Sequence, residues 1–356
     1  MHPCIDPIGV SRITPLPKPH VLIISPALAK ANNSNWQTAA RWTGFLRPDF
    51  KVTCTDWHDG LSKLIKPSLI IALHARRSAA ALQEFDRTQP TVPIVLILTG
   101  TDLYRDIQNH PDAQAALRIA DRLILLQASG LAELTPHLHA KSTVIYQSAA
   151  SLKPALPSSS RLHFNVIMVG HLRAEKDPAT FLRAITLSAR TQLRFTHIGA
   201  ALAPDLGQLA EHTATADHRY RWLGNLPHAA TRQRLKHSDL MVISSVMEGG
   251  ANVIIEAVTS GVPILASDIS GNRGLLGDDY AGYFPVGDAA ALARLIDRAA
   301  TDPTWLDRLR AQCRAQAHLF TPQRERAAVR ALVDNCLRPA VHTEAALHHS
   351  LSKDVQ

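Results

Sequence analysis

Residues 239–261 read DLMVISSVMEGGANVIIEAVTSG, and the pattern of apolar side chains changes partway through. The LMVI run is continuous, apolar and β-branched, which suits a short strand buried on both faces. A polar segment with two adjacent glycines follows, and then NVIIEAV, a helical pattern closed by Gly261. The stretch therefore predicts strand, loop and helix, with Glu248 in the loop at the strand's carboxyl end and Glu256 about one turn into the helix. In open parallel sheets, ligands bind where loops leave the carboxyl ends of strands. The missing side chains of Gly249 and Gly250 predict a close approach of ligand to backbone, and the amides of Gly250, Ala251 and Asn252 at the helix start favour an anion. A carboxylate on each side accepts hydrogen bonds from sugar hydroxyls: a ribose suits Glu256, a hexose Glu248. The combination reads as a nucleotide-sugar clamp.

Working outward, HVLIIS, KVTCTDW, SLIIALH, IVLILTG, RLILLQ and STVIYQS are strand-like runs with helical patterns between them. The alternation stops in the Pro- and Ser-rich residues 151–162 and restarts with FNVIMVG, LRFTHIG, YRWLGN, DLMVISS and VPILASD. This predicts an α/β chain of two doubly wound, Rossmann-like domains facing a cleft: 18–150, a linker at 151–162, and 163–338 with a long helical region at its end. Residues 339–356 read as a loosely ordered tail.

At 356 residues the chain is long enough for two ordinary cores. Its four cysteines have no ligand spacing, which points to a reducing cytoplasm and away from a structural zinc site. No apolar run approaches the length of a membrane span, and the first twenty residues lack the uninterrupted apolar stretch of a secretory signal. The net charge of +8 is spread over helix faces with no interleaved basic and aromatic stripe, which fits phosphorylated small molecules and not nucleic acid. No stable membrane association is expected, and the oligomeric state is open.

Three segments in order, VGHLRAEKDPATFLRAI, WLGNLPHAATRQRLKHSDLMVISS and the Glu-x7-Glu pattern, resemble the donor-binding domain of GT-B glycosyltransferases of the family-four type. The resemblance implies that Glu256 grips the ribose, Glu248 meets the hexose, and Asn225, Leu226 and Pro227 pass the base. Gly170 to Lys176 matches the family's diphosphate-binding segment, and Lys176 fits it. The family's arginine position is held by His171, with Arg173 two residues on.

In the first half, SPALAKANNSNWQTAARW, ALHARRSA and LTGTDLYRD extend the likeness. With the donor segments they resemble the selenosugar synthases of selenoneine biosynthesis. What that implies is transfer of a sugar, N-acetylglucosamine or glucose, from a UDP-sugar to the selenium of selenophosphate, with later loss of phosphate. The residues are compatible with a small anionic acceptor. Arg76 and Arg77 follow a strand end, one expected to bind and the other to face solvent, and Asn33, Ser34 and Asn35 lead into a helix start. Thr101 belongs to the same acceptor group, while His74 and Asp102 are candidates for orienting the acceptor or activating the water that later removes phosphate, with a helix-capping role for Asp102 as the other reading.

Leaving-group charge falls to Lys176, Arg173 and the amides of residues 250–252. No cofactor is expected and no metal, since no two aspartates are separated by one residue as in the Asp-x-Asp element of metal-dependent transferases. A family-four transferase with a carbohydrate, lipid or small-metabolite acceptor, and a UDP-sugar epimerase, are the competing readings. Pathway enzymes are conceivable partners.

Overall fold

The computed structural model describes residues 17–28, 34–57, 60–153 and 162–338; Asn33, most of the expected linker and the expected tail lie outside them. Two six-stranded parallel sheets form the frame. The first contains β1 (His20–Ile24), β2 (Lys51–Thr55), β3 (Leu69–Leu73), β4 (Ile94–Leu98), β5 (Arg122–Leu125) and β6 (Ser142–Val144), in the order β2-β1-β3-β4-β5-β6. The second contains β7 (Phe164–Val169), β8 (Leu193–Ile198), β9 (Tyr220–Trp222), β10 (Leu240–Ile243), β11 (Ile264–Ser267) and β12 (Tyr283–Phe284), in the order β12-β11-β10-β7-β8-β9. Eleven of these strands coincide with the runs read from sequence. The two-residue β12 was not anticipated, because its length carries no periodicity.

Every residue of β3, β4 and β10 is buried, as expected for parallel strands covered on both faces. Register puts β1 beside β3 (Val21 opposite Leu69) and β7 beside β10 (Val166 opposite Leu240). These are the points where strand order reverses, so loops diverge there and leave a crevice. In the first domain the crevice is bounded by the segments after β1 and β3; in the second, by those after β7 and β10.

Helix starts are fixed locally. Asp288 and Asp302 accept the amides of Ala291 (2.8 Å) and Trp305 (2.9 Å), and Pro178, Pro204, Pro303 and Pro322 occupy first-turn positions. The helical region at the chain end departs from expectation. Helices Ala289–Thr301 and Pro303–Gln316 pack on the second domain, but helix Pro322–Leu337 returns to the first, where Val329, Leu332 and Val333 join the core of Val21, Ile23, Trp42 and Leu69. Its Glu325, almost fully buried, accepts hydrogen bonds from Arg41 Nε (2.7 Å), Trp42 Nε1 (2.8 Å) and Ser148 Oγ (2.6 Å). The chain therefore passes between the domains twice, and the two crossings touch where Ala149 N donates to the Phe320 carbonyl (3.3 Å).

Candidate functional site

On the second domain, β7 ends at Gly170 and the chain enters the short 3-10 turn Ala174–Lys176. That turn is stitched to the end of β10: Ser244 Oγ donates to the carbonyls of Asp177 (2.8 Å) and Lys176 (3.1 Å), and Val246 N donates to the Glu175 carbonyl (3.0 Å). Asp177, at a left-handed φ of 40°, then starts the next helix and accepts the Thr180 amide. The result is an ion pair between Lys176 Nζ and Glu248, whose same oxygen accepts from Ser245 Oγ at 2.6 Å. Lys176 and Glu248, selected from separate motifs, thus meet.

Glu256 sits in helix Asn252–Val258, with Gly261 in a left-handed conformation after it (φ 73°). Its Oε1 lies 2.6 Å from His228 Nε2, at the start of the helix that follows Asn225, Leu226 and Pro227. Leu226 packs against the second core, while Asn225 and Pro227 are exposed. Gln37, Arg41, His228, Arg232, Asn252 and Glu256 help line an interdomain cavity of about 390 Å³. Asn252 Oδ1 accepts from the Gln147 carboxamide (3.0 Å), which also donates to the Gly250 carbonyl (3.1 Å). Asn252 Nδ2 and Arg232 Nε are buried donors without a partner among the described residues, so this cavity offers hydrogen-bond donors beside a carboxylate. Its contributions from the first domain, Gln37 and Arg41, were not foreseen. Ser34 and Asn35, expected in a loop, instead form the first turn of the same helix, Ser34–Leu46, whose Gln37 and Arg41 face the cavity.

The glycines of this loop have a different use from the one anticipated. A Cβ at Gly249 would overlap the Thr99 carbonyl and lie 2.6 Å from the Gly100 nitrogen; one at Gly250 would lie 2.6 Å from Leu126 Cβ. Their bare backbones admit the first domain. A further contact closes the same seam through a hydroxyl held in place within the first domain. Gln127 Nε2 donates to Tyr104 Oη (2.7 Å), and that hydroxyl lies 3.1 Å from Ser270 Oγ across the domains.

His171 is half-buried, and its Nδ1 accepts the Ala200 amide at 3.1 Å. Burial, then the Arg173 and Lys176 charges, push its pKa below the usual imidazole value. Burial and these two cations therefore act against an imidazolium at the family's arginine position. Arg173, partly exposed, lies 3.9 Å from Glu175. Behind Gly170, fully buried His197 has Nε2 3.1 Å from the Gly170 carbonyl and Nδ1 3.2 Å from Tyr220 Oη, and burial takes its pKa down to about 4.

On the first domain, a cavity of about 370 Å³ opens at the carboxyl ends of β3 and β4. His74, Arg76, Arg77 and Thr101 line it, which brings together four residues selected from sequence. Arg105 and His110 also line it, with Asp106 and Asp112. His74 adopts φ 73°, its Nε2 lies 3.0 Å from Thr101 Oγ1, and its Nδ1 accepts the Arg77 amide (3.4 Å). Burial is the main cause of its lowered pKa, with Asp102 opposing and Arg77 reinforcing the shift. Arg76 lies 3.9 Å from Asp106, whereas the exposed Arg77 guanidinium makes no ion pair among the described residues.

Asp102 does not face this cavity. It is fully buried, with one oxygen accepting the amides of Thr99 (2.9 Å) and Gly100 (2.8 Å) and the other that of Ala75 (2.9 Å). It caps a helix as the other sequence reading had it, but the helix is the one after β3, and its carboxylate joins the β3 and β4 loops. A carboxylate with three backbone donors is committed to structure, and positions Thr101 and His74 without touching a substrate.

Among the described residues, no helix is long and apolar enough to cross a membrane, and no group of three or more His, Cys, Asp or Glu side chains is arranged to hold a metal.

Two parallel doubly wound domains with binding loops facing one another define the GT-B architecture. A sucrose-phosphate synthase from Thermosynechococcus elongatus superposes with a TM-score of 0.71 over 89% of this chain and 99% of that one, at 16% identity. Anabaena HepE, solved with UDP and glucose, gives 0.70 over 89% and 100%, also at 16% identity. Residues 163–319, the half that carries Lys176, Glu248 and Glu256, match the family described as Glycosyl transferases group 1. A curated relative, glycosyltransferase 1 domain-containing protein 1 of Xenopus tropicalis, is 24% identical over 212 residues, which takes in 54% of this chain and 61% of that protein.

Proposed function

We propose that the protein is a glycosyltransferase that moves a sugar from a UDP-sugar to the selenium of selenophosphate. The observation that carries the reading is the presence of two unlike cavities, one between the domains and one on the first domain. One has the Glu256 carboxylate beside buried hydrogen-bond donors, and the other has three arginines around a space of about 370 Å³. The group 1 match of the second domain and the UDP complex of Anabaena HepE support a UDP-sugar on the Glu256 side. The resemblance of the first-domain loops to selenosugar synthases supports selenophosphate on the arginine side.

In this reading Glu256 accepts hydrogen bonds from the ribose hydroxyls and Glu248 from the hexose. The selenium lone pair attacks the anomeric carbon, the bond from that carbon to the UDP oxygen breaks, and UDP leaves with the electron pair. Selenium in this anion is a soft nucleophile that needs no general base. The residues therefore act by positioning the two anions and by placing Lys176, and Arg173 beside it, against the charge growing on the departing diphosphate. No metal or cofactor has a part in this scheme. Water then cleaves the phosphorus–selenium bond to leave phosphate and a 1-selenosugar.

The test is UDP release from UDP-N-acetylglucosamine and UDP-glucose with no acceptor, with phosphate and with selenophosphate, while mass spectrometry follows the sugar. Selenium-dependent release and a selenium isotope pattern on the product are expected. Release that is indifferent to selenium, or epimer formation without any acceptor, would overturn the reading.

A further inference from the structure

Arg105 was passed over in the sequence, yet it occupies an unusual position. It lies in a π-helical turn, Asp102–Asp106, a widened geometry often found at functional sites. Its side chain is half exposed, lines the arginine cavity and reaches across the cleft. There its Nη1 lies 3.5 Å from Glu175 Oε1, while its Nε lies 3.2 Å from Asp106 on its own domain. Glu175 faces a second guanidinium, Arg173, 3.9 Å away, and is the residue before Lys176. Burial raises the Glu175 pKa, but hydrogen bonding to its own backbone and the Arg173 and Arg105 charges outweigh that and hold it below the usual carboxylate value.

We propose that Arg105 is a specificity-determining residue for the acceptor, and that Glu175 is a resident counter-ion which the acceptor's oxyanion displaces. The proposal rests on the reading of this cavity as the acceptor's seat. A contact of 3.5 Å at an exposed pair is loose and contributes little, so it opens readily. A tetrahedral oxyanion of greater charge than a carboxylate accepts both prongs of a guanidinium fork and competes well for it. Arg77 supplies a second cation without a carboxylate partner among the described residues, and Arg76 a third that Asp106 partly satisfies. Because Glu175 belongs to the turn that carries Lys176, exchange of Arg105 from Glu175 to the acceptor links the arrival of one substrate to the residue that serves the other.

Calorimetric titration with inorganic phosphate, in the presence and absence of UDP, tests this without turnover. Arg105→Gln is expected to weaken phosphate binding about 10-fold or more, and Arg105→Lys by less, because the fork is lost while the charge remains. Glu175→Gln removes the competitor and is expected to tighten binding about 3-fold, the scale of an exposed ion pair. Phosphate that fails to bind the wild type, that binds Arg105→Gln normally, or that binds Glu175→Gln more weakly would overturn the assignment. Phosphate binding with the expected responses but no selenium-dependent product would keep Arg105 and Glu175 in these roles and refute the reaction.

Discussion

The two sides of the cleft differ in how their charge is spent. On the Glu256 side both carboxylates are already paired: Glu248 with Lys176 and Ser245, and Glu256 with His228, while Asn252 Nδ2 and Arg232 Nε are left as open donors. On the arginine side three guanidiniums meet two aspartates, Arg77 has no acidic partner among the described residues, and Arg105 borrows one from across the cleft. A prepaired surface holds its geometry before a ligand arrives, whereas an unbalanced one depends on the ligand for its charge balance. Within the proposed reaction, the first behaviour suits a large donor with many hydroxyls and the second a small, highly charged acceptor.

The strongest attempt to break this contrast is Lys176→Met. It removes the cation aimed at the leaving group and strands a mostly buried Glu248, and kcat should fall about 100-fold to 1,000-fold in a UDP-release assay. A fall of less than 10-fold would mean that the pair is architectural.

Acid stability probes the same side from behind. His197 has a folded pKa of about 4, below the unfolded value, so its stabilising contribution is complete above about pH 6.5 and is lost as pH falls towards 4. The loss amounts to about 3 kcal/mol in urea titrations, and His197→Gln should flatten that dependence.

Glu256→Ala should weaken UDP binding about 10-fold to 100-fold by calorimetry, with phosphate affinity unchanged. The smallest effects separate the two adjacent arginines. Arg77→Ala should raise the acceptor KM about 10-fold, whereas Arg76→Ala, whose partner is Asp106, should change it about 2-fold. Equal effects from the two would remove the distinction drawn from their pairing.

The same asymmetry governed what the sequence disclosed. Glu248, Glu256 and Lys176 fall in short motifs, and buried parallel strands announce themselves as unbroken apolar runs, so the placement of these residues on a loop, a helix and a turn, and eleven strands, were legible. Arg105 is one of 38 basic residues, and its relation to Glu175 exists only once two domains meet. Asp102 looked like a cleft acid because sequence places a residue at a strand end without saying which way its side chain turns. Gly249 and Gly250 advertised close approach correctly but not what approaches. The periodicity of residues 322–337 showed that one helix face is buried and could not say in which domain.

That last helix has a consequence for synthesis. Val329, Leu332 and Val333 complete a core that begins with Val21 and Ile23, and Glu325 is the shared acceptor for Arg41, Trp42 and Ser148. A chain emerging from the ribosome can finish its second domain first, because that core closes by Phe320, while the first-made domain waits for residues near the far end. The order of synthesis and the order of completion are reversed, and a chain cut short before Pro322 leaves its oldest part with an open apolar wall.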